Sequence, residues 1–404
     1  MSAAPNEAEH ALARALEIED YEAASRLAQA LLERDPAHRD AAYARGMAAW
    51  SKKLHGVAKP WLRAGSAGNP TRRVRYFKFL YERGDLLELS SELRLTGGGT
   101  EDDETRRLRI LTGARLGNAF LQVYGYREAL DIYRQTVEDI GDAVLATPLG
   151  ENIGQGLLAS CDGCRQLPSL FASADRAVRD LQGPHVVGGI FEGLVLPDPF
   201  GYAVAAFRIG SYEAECAPVL SAAVNERRYQ RVVNIGCAWG YYAVGLARLL
   251  TQASVIGFES DPVARGWAER VAAANGVADR VSLLGTCTHD GLQTALEPTE
   301  RGLLVVDCEG GELTLLEGDT VRILAHWDLL VECHDFIDPA ITTRLIERFA
   351  ASHQVEKIAK TFKAPSDYPR LRSIRPLDRW FAVLEARAER THWLWLRSTS
   401  TVCR

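Results

Sequence analysis

The chain has 404 residues, 47% hydrophobic and 25% charged, enough to build two globular domains with sizeable cores. Its formal net charge of −6 offers no electrostatic attraction to nucleic acid or to an anionic membrane. No apolar run approaches the roughly 18 residues of a membrane span, and Met1–His10 lacks a basic region followed by an apolar stretch, so a cytoplasmic location is expected.

Residues 1–140 read as helical and repetitive. Asp20-Tyr21-Glu22-Ala23-Ala24 leads into Leu27, Ala28 and Leu31 and closes at Pro36. Ala58 follows Ala24 by 58 − 24 = 34 residues, and with it come Trp61, Leu62, Gly65 and Pro70. Leu116-Gly117, Phe120, Tyr126, Ala129 and Tyr133 repeat the pattern, with residues 71–104 as a degenerate copy. Small residues at Gly46, Gly117, Ala24, Ala58 and Ala129 would let paired helices approach while the aromatics fill between them. This spacing resembles a tetratricopeptide repeat. The resemblance implies a surface for a protein partner or for self-association; the same region would serve equally as a structural cap. The run Thr96-Gly97-Gly98-Gly99-Thr100 is expected to be a loop, not a phosphate cradle, since no strand precedes it.

Residues 141–184 read as a helical linker. Most of the eight cysteines stand singly in apolar surroundings, as reduced core residues do. Cys161 and Cys164 form a CxxC without the second pair that a zinc site would need. From 185 to 404 the pattern changes. His185–Gly189 and Gly193–Leu196 suggest short strands or a hairpin, and beyond Ser211 strands and helices alternate as in a parallel α/β sheet.

The central signal is Arg231-Val232-Val233-Asn234-Ile235-Gly236-Cys237-Ala238-Trp239-Gly240: buried strand, glycine turn, helix start. Glycines there let a ligand approach the strand's C-terminal edge, and the following helix offers free N–H groups to a carboxylate. Glu259 lies 259 − 236 = 23 residues on, at the end of the next strand, where an acid grips ribose hydroxyls. Asp261 reads as the cap of a helix starting at Pro262. A third strand, Val281–Leu284, runs into Gly285-Thr286-Cys287, with His289 and Asp290 beyond it as adenine neighbours or helix caps.

Two later segments define the class. Leu303-Leu304-Val305-Val306 ends in Asp307-Cys308-Glu309-Gly310-Gly311-Glu312, and Leu329-Leu330-Val331 ends in Glu332-Cys333-His334-Asp335. With Arg208-Ile209-Gly210-Ser211-Tyr212-Glu213 upstream, this region resembles the FkbM-type methyltransferases, whose fourth strand ends in Asp-x-Glu-Gly-x-Glu and whose fifth ends in an acid and often a histidine. The resemblance spans about residues 185–404 and not the repeats. It implies a class I, Rossmann-like seven-stranded sheet, S-adenosylmethionine (SAM) as cofactor, and methyl transfer to the oxygen of a small-molecule or glycan acceptor.

The cofactor-binding candidates are Asn234, Gly236, Ala238, Gly240, Glu259, Ser260, Thr286, Cys287 and Asp307. The catalytic candidates are His334, Asp307, Glu309 and Glu213, with His334 as the base that takes the acceptor's proton. Asp307, Glu332 and Asp335 form no tight spacing motif, and no metal is assigned. Asn234 departs from the usual Asp and Trp239 is bulky, which keeps a non-catalytic adaptor as the alternative. A nicotinamide enzyme is disfavoured because the third glycine of G-x-G-x-x-G is missing. Gln354–Ala359 and Thr391–Leu396 read as the last two strands, the latter with aromatics facing cores on two sides. Lys363, Asp367, Tyr368, Arg370, Arg372 and Arg375 read as a solvated crossover loop that could otherwise bring positive charge to an anionic acceptor.

Overall fold

The computed structural model describes residues 7–95, 102–123, 125–140, 144, 146–165, 167–197, 204–226, 229–296, 301–385 and 391–400. The glycine run 96–100 and Cys403 lie outside them. Two compact units emerge: Met1–Gly141 with Gln155–Gly163, and Asp142–Gly154 with Cys164–Arg404.

In the first unit, helices Glu7–Glu17, Tyr21–Arg34, Arg39–Ser51, His55–Ser66, Pro70–Arg83, Leu86–Leu95, Asp103–Gln122 and Tyr126–Asp139 each pack on the next along the chain. Asp20, Asn69 and Asp102 cap three of them by accepting a backbone N–H. Small residues set the spacing. A Cβ on Gly46 would lie 2.7 Å from Leu62 Cγ, and one on Gly117 2.6 Å from the Tyr133 ring. Ala24, Ala58 and Ala129 are fully buried. The degenerate stretch also forms a helix pair, but with a core of Tyr76, Phe77, Phe79, Leu80 and Leu89 in place of small residues. Cys161 is buried in helix Pro148–Gly163, and neither cysteine of the CxxC is in a disulfide.

The second unit holds a seven-stranded sheet: β1 (Arg231–Ile235), β2 (Ser254–Phe258), β3 (Val281–Leu284), β4 (Gly302–Val306), β5 (Asp328–Cys333), β6 (His353–Ala359) and β7 (His392–Ser398). The order is β3-β2-β1-β4-β5-β7-β6. The first five strands are parallel, and β7 inserts antiparallel between β5 and β6. This is the class I, Rossmann-like methyltransferase sheet. The expected hairpin before it reduces to one bridge, His185 to Val195, closed by a turn.

Alternation sorts the strand residues into two cores. Val232, Val255, Leu303, Val305 and Leu330 face one helical layer. Val233, Ile235, Leu304, Val306, Leu329 and Val331 face the other. Trp393 and Trp395 both join the first core while Leu394 and Leu396 join the second. The aromatics of β7 therefore share one face, against expectation, because residues two apart in a strand point the same way. Asp328 anchors β7: its buried carboxylate accepts the Tyr229 hydroxyl at 2.6 Å and the Ser398 backbone N–H at 2.8 Å.

Candidate active site

The turn after β1 is shaped by contact with the end of β4. Gly236 has φ +73°, and a Cβ there would fall 1.6 Å from the Asp307 carbonyl oxygen. Only a hydrogen fits, so the two strand ends close together and leave their loops to splay around a hollow. Gly240, at φ +87°, starts helix Tyr241–Leu249 against Ala268. Between them Ala238 adopts φ +42° and aims its N–H at Glu259, 2.8 Å from Oε2. Glu259 Oε1 accepts from the Asp261 N–H, also at 2.8 Å. Asp261 accepts from Val263 N–H and caps helix Pro262–Ala274, as its sequence position suggests. The Glu259 carboxylate is thus fixed by backbone from both loops it joins.

A cavity of about 360 Å³ opens at the C-terminal ends of β1, β2 and β4. Gly236, Glu259, Ser260, Thr286, Cys287, Asp307 and Glu309 line it together with Cys308, Gly311, Thr314 and Leu315, which the sequence reading did not single out. Burial pushes the Cys287 thiol up to about 12, which makes it a neutral wall. Asn234, Ala238 and Gly240 are not among the lining residues. Asn234 is buried in β1, its Nδ2 3.5 Å from the Ile235 and Val305 carbonyls, and its Oδ1 has no partner among the described residues. Trp239 packs against the core of the sheet and does not fill the cavity.

Beside the cavity, carboxylates gather on one imidazole. His334, 1% exposed at the end of β5, holds Glu312 Oε1 at 2.7 Å through Nδ1. Its Nε2 lies 3.4 Å from Glu309, 3.5 Å from Asp307 and 3.7 Å from Glu332. Burial pulls the imidazole toward its neutral form. The Glu312 hydrogen bond and the charges of Glu332, Glu312 and Glu309 outweigh that, and His334 titrates above the ordinary histidine range. Glu312 is fully buried and also accepts the Gly310 N–H; despite burial, these bonds hold it below the usual carboxylate range. Glu213 reaches the same cluster: one of its oxygens lies within 4.8 Å of oxygens of Asp307 and Glu332, and Oε2 accepts from the Tyr242 hydroxyl at 2.6 Å.

Strain marks the same loops. Glu213 (φ +48°), Ala238 (φ +42°) and Glu309 (φ +50°) adopt left-handed backbone that costs non-glycine residues about 1–3 kcal/mol each and recurs at functional sites.

Other candidates turn elsewhere. Asp335 accepts both the N–H and the hydroxyl of Thr342, so it leaves the set with Asp307 and Glu332. His289 sits 3.0 Å from the Thr320 hydroxyl and does not line the cavity. Lys363 is buried between Glu215 at 2.5 Å and Glu385 at 2.7 Å, and Arg375 pairs with Asp378. The cations of the crossover loop that could have met an acceptor are spent on internal carboxylates at these two positions.

No family model matches the chain, and no curated protein does. Among solved structures it is similar to the O-methyltransferase TomG from Streptomyces achromogenes, involved in tomaymycin synthesis and solved with SAM, at 16% identity and TM-score 0.33, covering 56% of this chain and 89% of that one. It is similar to cofactor-bound Rv0187 from MTB with the same values, and to an O-methyltransferase from Bacillus cereus in complex with SAH at 15% identity and TM-score 0.32, covering 57% and 90%.

Proposed function

We propose that the second unit is a SAM-dependent methyltransferase acting on a hydroxyl-bearing acceptor, a sugar, natural product or related small molecule. One observation carries this reading: the cavity at the ends of β1, β2 and β4, with Glu259 locked at its rim and Asp307 shared with the carboxylate–imidazole cluster. A cofactor fits these residues. The Gly236 turn lets the ends of β1 and β4 close on each other, with their loops splayed around the hollow, and Glu259 presents a carboxylate oriented for vicinal ribose hydroxyls. Ser260, Thr286 and Cys287 form the wall where an adenine edge would lie.

When bound, SAM supplies an electrophilic methyl group on sulfur. Asp307, Glu309 and His334 would hold the acceptor hydroxyl in line with it; such alignment can supply about 7–11 kcal/mol of barrier reduction. The carboxylate–imidazole cluster would take up the hydroxyl proton as the acceptor oxygen is methylated. The first unit, with its repeat-like helix pairs resembling tetratricopeptide repeats, would recruit a protein partner or a second copy of the chain.

Differential scanning fluorimetry tests the cofactor class. S-adenosylhomocysteine (SAH) at saturating concentration is expected to raise the melting temperature by several degrees, and NADH by none. Protection by NADH and not by SAH would assign the cavity to a nicotinamide.

A further inference from the structure

The cluster at the ends of β4 and β5 is more than a set of acids around a base. The Nδ1 of His334 is committed to Glu312, a carboxylate that is itself fully buried. That bond fixes the tautomer and turns Nε2 toward Asp307, Glu309 and Glu332. A proton on Nε2 would close one short bond, about 2.7–2.9 Å to a carboxylate. The three oxygens stand instead at 3.4, 3.5 and 3.7 Å, none of them within that range. Ligand atoms about 2.1 Å from a shared metal lie roughly 3.0–3.4 Å apart, depending on geometry, so this spacing is close to that of donors arranged around a cation. A buried histidine whose far nitrogen donates to a carboxylate is also the common support of a metal-bound imidazole.

We propose that Asp307, Glu309 and His334 bind a divalent first-row transition cation, with Glu332 beside them as a fourth donor. The ligand atoms of Asp307, Glu309 and His334 all lie within 4.8 Å of one another, and Glu332 lies 3.7 Å from the His334 Nε2. The imidazole among them favours Mn²⁺, Fe²⁺, Co²⁺ or Zn²⁺ over Ca²⁺ and Mg²⁺, which prefer oxygen alone. Glu309, with its side chain 73% exposed, leaves the site open on the solvent side. There the cation would take an acceptor oxygen and acidify its hydroxyl. That last role rests on the methyl-transfer reading; the metal site itself does not.

The test is calorimetry of MnCl₂ and ZnCl₂ into full-length, tag-free protein stripped with EDTA, followed by SAH titration of the same samples. Wild type is expected to bind about one cation per chain, with MgCl₂ at least 10-fold weaker. Because Glu309 is exposed, Glu309→Gln keeps the fold and is expected to weaken metal binding at least 10-fold. Glu312→Gln should weaken it 10- to 100-fold through the imidazole it orients. Saturable binding that drops in both variants supports the site. Absent binding, or binding equal in wild type and Glu309→Gln, overturns it. SAH binding without metal binding removes only the metal site, and metal binding without SAH binding removes only the cofactor reading.

Discussion

Gly236→Ala is expected to abolish SAH binding, weakening it at least 100-fold, and to destabilise the sheet unit by several kcal/mol. Two effects add. Alanine in left-handed backbone costs about 1–2 kcal/mol. The new Cβ also meets the Asp307 carbonyl oxygen at 1.6 Å, a backbone atom that cannot rotate away, so β1 and β4 must part. The cavity between their loops depends on that contact. Gly266→Ala is the control: it lies within helix Pro262–Ala274 and a Cβ there meets nothing within 4 Å. It should leave binding intact and raise stability by up to about 1 kcal/mol. Equal SAH affinity in Gly236→Ala and wild type would refute the close-approach account.

The second large effect falls on stability alone. Asp328→Ala removes the acceptor for both the Tyr229 hydroxyl and the Ser398 N–H in a site about 1% exposed. Each buried donor left without its acceptor costs about 1–3 kcal/mol, so a loss of roughly 3–4 kcal/mol is expected. Urea unfolding followed by tryptophan fluorescence reads it, since six of the eight tryptophans, from Trp239 to Trp395, lie in this unit. Asp328→Asn should recover part of the loss. A change under about 1 kcal/mol in the alanine variant would show that β7 is held by its two tryptophans and not by this carboxylate.

What could be read in advance was local. Gly236, Glu259 and Asp307 announce themselves because strand, turn and acid follow one another along the chain, and the sheet sets β2 and β4 on either side of β1 so that the three ends are neighbours. The cap at Asp261 is equally local. The pairing of His334 with Glu312 is not, because the residues are 22 positions apart and meet only when β4 and β5 lie side by side. At the sequence level Glu312 looks like a charge at a helix start. Lys363 shows the converse: a lysine in a proline-rich loop reads as solvated, yet Glu215 and Glu385, distant in sequence, bury it. The shared face of Trp393 and Trp395 was legible from the period of two alone. Trp239 looked obstructive only because the turn's spacing does not tell which way its ring lies.

The central claim is that the rim carboxylate of Glu259 holds a SAM-type cofactor. Calorimetry of SAH against wild type and Glu259→Ala tests it most directly. One-to-one binding in the micromolar range, weakened at least 10-fold in the variant with its unfolding midpoint nearly unchanged, is the predicted result. No heat with wild type, or equal affinity in both proteins, would contradict it.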